Sequence, residues 1–258
     1  MIDVPMLTAP PLTPRNAVFL DFDGTLVDIA ATPGGVVVSP ALPALLQRLA
    51  QHLDGALAVI SGRTLAELLP LLRPYAGAAA GAHGLEIRLP SGETHTPPPE
   101  PSLERIKPLL RDFAAQSPGV IFEDKGVGLS LHYRRRPDLA EACIAIVQRG
   151  AALSDGQLTA RLGKMIAELL PPAANKGHAV VEFMRQASFQ GRVPVCVGDD
   201  RTDENGFIAV NRLGGFSIHV GAASDSAAQY GLADVNAVIA WLAAFRAGLR
   251  PAVTIPWR

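Results

Sequence analysis

The sequence predicts an α/β fold: a parallel sheet with helices on both faces, interrupted by a smaller α+β unit. Three observations predict it. Short, continuously apolar runs alternate with longer amphipathic ones, the pattern of βαβ units whose strands are buried on both faces. The Pro-rich stretch "THTPPPEPS" breaks that alternation, as a boundary between folding units does. Beyond it the two-residue alternation of paired strands takes over.

Taken in order, "AVFL" (17–20) is a buried strand, and "ALPALLQRLAQHL" behind it has helical spacing. "GALAVISGR" is a second strand ending in Ser61, Gly62 and Arg63, after which Thr64 opens the helix "LAELLPLLRPY". "GAAAGAHGLEI" is a third, small-residue strand running to His83 and Gly84. After the Pro-rich boundary comes the helix "LERIKPLLRDFAAQ". A hairpin follows from "GVIFEDKG" and "VGLSLHYR", then the helix "PDLAEACIAIVQRG" and the pair "QLTARLGK" and "MIAELLP". "LPPAANKG" marks the return, so residues 97–173 are expected to form an inserted α+β domain, with 1–96 and 174–258 forming the main one. "RVPVCVGDDRTDENGF" and "FSIHVG" supply further parallel strands, and "VNAVIAWLAAF" a late helix.

Composition narrows the function. Of 258 residues, 48% are hydrophobic and 18% charged, and the net charge is −1. That is a globular chain with a core and with no general attraction to nucleic acid or anionic membrane. No apolar run reaches the roughly 18 residues of a membrane helix. The start "MIDVPMLTAPPLTPRN" lacks the basic and apolar parts of a signal peptide. Cys143 and Cys196 read as free thiols, so a cytoplasmic setting is expected. No G-x-G-x-x-G follows the first strand, which argues against a dinucleotide-binding oxidoreductase.

The carboxyl ends of the strands carry the chemistry, because ligands of open α/β sheets bind there. Asp21 and Asp23 end the first strand, Ser61 the second, and Asp199, Asp200 and Asp203 the late "GDDRTDE" strand. Single Asp or Ser residues after strands are usually turn or cap residues. Five carboxylates on one rim would repel one another, and a hard cation such as Mg²⁺ with a substrate phosphate relieves this. On such a rim Asp21 can attack phosphorus, and Asp23 can move the proton of the leaving alcohol and then of water. Gly24 permits the turn, and Thr25 and Ser61 offer donors to phosphate oxygens. Lys176 in "NKGHAV" is the cation against the transferring group. In a chain with 19 Arg and four Lys, a lysine is chosen for its compact charge.

"DFDGT", "SGR", "NKG" and "GDDRTDE", in that order, resemble the four motifs of the haloacid-dehalogenase-like phosphatases. The resemblance implies a Rossmann-like core with an inserted α+β cap domain. Within that superfamily the stretches "GAHGLE", "FEDKGVGLSLHYR", "GKMIAELLP", "NKGHAV" and "VGAASDSAAQYGLAD" resemble the trehalose-6-phosphate phosphatases, over nearly the whole chain from residue 17. This implies Asp21 as nucleophile, Asp23 as acid and base, and Lys176 as phosphate clamp. It implies Mg²⁺ held by Asp21, the Asp23 carbonyl and Asp199, with Asp200 and Asp203 nearby. It also implies sugar contacts from Lys125, His132, Arg134 and Glu168 on the cap. Arg63 and His83 lie on the substrate side of the rim, His83 as ligand contact or structural residue alike. Glu123 with Lys125 reads equally as an exposed ion pair, and Glu168 as a solvent-facing residue. Another sugar-phosphate phosphatase, a phosphosugar mutase and a non-catalytic sugar-phosphate sensor remain the alternatives.

Overall fold

The structure, a computed structural model, describes residues 7–222 and 225–245. The ends of the expected main domain, 1–6 and 246–258, lie outside that range. The elements run β1 (Leu7–Thr8), β2 (Asn16–Leu20), α1 (Ala41–His52), β3 (Leu57–Ile60), α2 (Leu65–Leu71), β4 (Ala78–Gly81), β5 (Glu86–Arg88) and β6 (Thr94–His95). The inserted unit contributes α3 (Ser102–Ala115), β7 (Ile121–Asp124), β8 (Leu129–His132), α4 (Ala140–Ala152), β9 (Thr159–Gly163) and β10 (Ile166–Leu170). The chain then returns through α5 (Lys176–Met184), β11 (Val193–Gly198), α6 (Glu204–Arg212), β12 (Phe216–Val220), β13 (Tyr230–Leu232) and α7 (Val235–Ala243).

One sheet has the order β1-β13-β12-β11-β2-β3-β4-β5-β6. From β1 to β4 every neighbouring pair is parallel. Its central strands are apolar, but for Asn16 at the start of β2, because helices cover both faces: every residue of β2, β3 and β4 is buried. The helices justify themselves locally. α1 buries Leu42, Leu46, Leu49 and Ala50, one stripe at helical spacing. α2 starts on a capping box between Thr64 and Glu67.

The sheet departs from the expected parallel one at an edge. The third strand stops at Gly81, because Ala82 and His83 both take left-handed φ values, 46° and 57°. The chain then turns back, and β5 and β6 pair antiparallel. Their connections are too short for a parallel crossover. At the other edge, β1 grows from the Pro-rich lead-in, which Trp241 Nε1 pins by donating to the Pro10 carbonyl at 2.8 Å. No helix among the described residues is long and apolar enough to cross a membrane.

The second sheet is antiparallel, ordered β7-β8-β10-β9. Period-two alternation divides its faces. Leu129, Leu131, Ala167 and Leu169 pack against α3 and α4 in an apolar core separate from that of the large sheet. Glu123, Ser130 and Glu168 stand opposite one another in register, and His132 pairs with Ile166. Their face is turned from the helices and towards the strand ends of the large sheet.

Candidate active site

Four adjacent strands, β11, β2, β3 and β4, run parallel and end at the same rim. Asp199, Asp21 and Ser61 follow the first three directly, and His83 follows the last within two residues. The sheet order is therefore what gathers groups far apart in sequence. Asp21 sits at the centre, buried, its amide bonded to the Val197 carbonyl at 2.9 Å.

Lys176, the first residue of α5, reaches this point from across the site. Its Nζ donates to Asp21 Oδ1 at 2.7 Å and to Asp203 Oδ1 at 2.6 Å. All three side chains are at most 7% exposed. Burial opposes the lysine charge, but Asp203 and Asp21 outweigh it and raise its pKa, so Lys176 stays charged. Asp21 is held well above the ordinary carboxylate range, first by burial and then by Asp203 and Asp199, with Lys176 pulling the other way. One lysine thus faces more negative charge than it neutralises. Asp21, Asp199 and Asp203 each place a carboxylate oxygen within 4.8 Å of the others.

Asp203 is engaged through both oxygens. Its Oδ2 accepts the amides of Asp199 (3.1 Å) and Asp200 (3.0 Å), so it shapes the loop while its Oδ1 takes the lysine. Asp200 caps the turn that follows and accepts the Lys164 amide from the inserted unit at 3.1 Å. Gly24 has φ +89°, and a Cβ there would lie 2.1 Å from Asp199 Oδ2. Only glycine allows Asp199 to close in on that turn.

Several expected roles change. Thr25 is wholly buried, its hydroxyl has no partner, and its amide contacts the Phe22 carbonyl, so it does not face the cleft as a phosphate donor. The Gly24 amide is used by the turn, bonding the Val27 carbonyl at 2.7 Å. Ser61 Oγ accepts the Arg63 amide at 3.1 Å and lines the cleft beside Asp21. Arg63 grips Asp23 with both arms, Nε and a terminal nitrogen each at 2.7 Å, and a third bond goes to the Pro33 carbonyl. Three of its donors serve the protein, and the side chain also lines the cleft beside Glu123 and Lys125.

Glu168 is neither solvent-facing nor free. It is 1% exposed. Oε1 accepts from Lys125 Nζ (2.7 Å) and Ser130 Oγ (3.0 Å), and Oε2 lies 2.7 Å from His83 Nε2. Burial would raise its pKa, but Lys125 and His83 hold it well below the carboxylate range. His83 lies in the turn after β4 of the large sheet and Glu168 in β10 of the small one, so this pair spans the two units. Lys125 spans them too, through Gly62 O at 2.9 Å.

Asp21, Lys176 and Asp199 line a cleft that adjoins a second one walled by Glu123, Lys125, His132 and Arg134. Glu123 is half-buried and accepts from His132 Nε2 at 2.7 Å, so it is no exposed ion pair. Against the pull of burial, His132 and Lys125 keep its pKa low. Lys164, which was not among the residues expected at the site, meets Asp199 through its Nζ. Its only sequence signal is the "GKM" turn between two strands.

A parallel sheet with paired acids at its central strand ends, a buried lysine across from them and a polar cap above define a phosphatase of the haloacid-dehalogenase-like fold. The sequence pattern of the trehalose-phosphatase family matches residues 19–236. Trehalose-6-phosphate phosphatase of Escherichia coli K12 is 41% identical over 239 residues, 92% of this chain and 89% of that one. A probable trehalose-phosphate phosphatase of Sinorhizobium fredii is 42% identical over 80% of this chain and 77% of its own. Among solved structures, the C-terminal domain of Candida albicans trehalose-6-phosphate phosphatase superposes with a TM-score of 0.79 at 24% identity, covering 88% of this chain and 90% of that domain. The chain belongs to the trehalose-phosphatase family.

Proposed function

We propose that the chain hydrolyses trehalose 6-phosphate to trehalose and inorganic phosphate in two steps, through a phosphate ester of Asp21. The observation that carries this reading is the bridge of Lys176 Nζ between buried Asp21 and Asp203. It fixes Asp21 Oδ1 and leaves Oδ2 to attack phosphorus, and it puts a positive charge beside the atoms that gain negative charge. The phosphorus–oxygen bond to the sugar breaks as the bond to Asp21 forms, and Asp23 gives a proton to the sugar oxygen. Asp23 then takes a proton from water, which displaces phosphate and restores Asp21. Arg63 orients Asp23 through two hydrogen bonds, and one arm of that pair must loosen when Asp23 carries a proton.

The donor set fits Mg²⁺. The oxygens of Asp21 and Asp199 are hard and clustered, Asp21, Asp199 and Asp203 together bear more charge than Lys176 offsets, and all three acids are buried. Asp21, Asp199 and the Asp23 carbonyl would hold the ion, with Asp203 and Asp200 ordering the loop behind Asp199. Bound there, the ion would neutralise charge on the phosphoryl oxygens. The second cleft, with Lys125, Glu123, His132 and Arg134, suits the hydroxyls of a disaccharide.

Trehalose 6-phosphate incubated with the protein and Mg²⁺ should yield phosphate and trehalose in equal amounts, and EDTA should stop both. Phosphate release that survives exhaustive chelation defeats the metal reading. Phosphate that reappears on another hydroxyl of the sugar makes the protein a mutase.

A further inference from the structure

The cap bonds the acids of the expected metal site through the tip of the hairpin between β9 and β10, and that tip is built for the contact. Met165 takes a left-handed φ of 63°, a conformation side chains seldom adopt. A Cβ on Gly163 would lie 3.0 Å from Asp200 Oδ2, so a larger residue there would hold the tip off the core. The Lys164 amide donates to that same oxygen, and Arg134 braces the tip through the Lys164 carbonyl at 2.9 Å. The Lys164 side chain is 46% exposed, yet its Nζ ends on the carboxylate of Asp199, which is 4% exposed. The arm carries a charge from solvent to a buried acid.

The place it reaches is narrow. The oxygen it meets, Asp199 Oδ2, lies against Gly24, where a Cβ would stand 2.1 Å away. An ammonium and a dication bonding one confined carboxylate oxygen repel each other and compete for its lone pairs. A cation on that carboxylate also spares the closed protein an uncompensated buried charge.

We infer that Lys164 is the cap's own counter-cation for Asp199: it seats the hairpin tip on the core while that acid holds no metal, and gives up Asp199 when Mg²⁺ binds. This rests on the Mg²⁺ site proposed above. Lys164 is on this account a positioning residue, and the coupling is reciprocal: whatever Lys164 gains from Asp199, Mg²⁺ must overcome. Loss of the lysine therefore tightens metal binding, whereas loss of a merely structural contact would loosen it.

The test is titration calorimetry of the full chain with MgCl₂ alone. Lys164→Met and Lys164→Gln should each bind Mg²⁺ about two- to fivefold more tightly than wild type, the scale of a partly exposed ion pair. Lys164→Arg should stay within about twofold of wild type, because a cation remains. Arg201→Ala removes an exposed charge just past Asp200 and should also stay within about twofold. Unchanged or weaker binding by both neutral variants overturns the inference. So does equal tightening by Arg201→Ala, which would make the effect one of general field. If the wild-type chain itself binds no Mg²⁺, the metal reading fails first and this inference with it.

Discussion

Replacing Lys176 with Met should cost a large part of the stability, and the loss should depend on pH in a stated direction. The variant keeps the volume of the side chain but leaves Asp21 and Asp203 buried without their shared cation. Removing one partner of a buried pair costs about 3–5 kcal/mol, against a total of about 5–15 for a folded domain. For a chain of this length that lowers Tm by roughly 6–20 °C. Lys176 has its pKa raised, so its contribution is fully present below its ordinary value and is lost only as pH rises through the higher folded one. At neutral pH it is at full strength. Asp21 also has a raised pKa, and without Lys176 the value climbs further. A protonated Asp21 favours the folded state at low pH, and that help fades as pH rises through the folded value. The deficit of Lys176→Met relative to wild type should therefore be largest near neutrality and shrink towards about pH 5. Urea unfolding of both proteins at the two pH values measures it. A deficit under about 1 kcal/mol, or one that grows on acidification, refutes the account of a buried lysine balancing crowded acids.

Three further outcomes follow from the same geometry. Asp21→Asn should abolish phosphate release from trehalose 6-phosphate and raise Tm at neutral pH, because it removes a charge whose pKa is already pushed up; a variant that still turns over places the nucleophile elsewhere. Glu168→Gln should lower kcat/KM for trehalose 6-phosphate by about 10- to 150-fold, since it frees Lys125 and His83 from a charged acceptor worth about 1.5–3 kcal/mol. Turnover of para-nitrophenyl phosphate, which has no sugar for Lys125 to meet, should fall much less, and equal losses on both substrates would assign Glu168 to the chemistry or the fold. Arg63→Lys should lower kcat about tenfold through loss of the two-armed hold on Asp23, and an unchanged kcat shows that Asp23 needs no such hold.

What the sequence disclosed was whatever is local or periodic. β2, β3, β4 and β11 are legible because strands buried on both faces must be apolar throughout. Asp21, Ser61 and Asp199 are legible because each follows such a strand directly. The partners were not legible. Arg63 meets Asp23 across 40 positions and His83 meets Glu168 across 85, and no period links residues so far apart. Glu168 illustrates the difficulty: an acid inside "IAELL" has to be satisfied, but only the sheet order shows that His83 and Lys125 satisfy it. β1 and β6, at two residues each, are too short to leave a pattern.

The contacts that join the two units have one chemical character, and it bears on how the site works. The apolar cores of the large and small sheets have no residue in common. What crosses between them is polar: His83 with Glu168, Lys125 with Gly62 O, and Lys164 with Asp199 and Asp200. A hydrogen bond within a protein replaces one to water, and its net worth is about 0.5–1.5 kcal/mol. Opening such an interface returns each group to water, with no large apolar surface exposed. Polar interfaces between domains are the ones expected to move. The same groups would be costly to leave unpaired while buried, so the closed arrangement is disfavoured unless all of them find partners together. A cap seated in this way can open to admit a phosphorylated sugar at small cost, and it closes fully only when its lysines and acids are matched. The residues that join the cap to the core are thus the ones that line the cleft, which ties closure to the contents of the site.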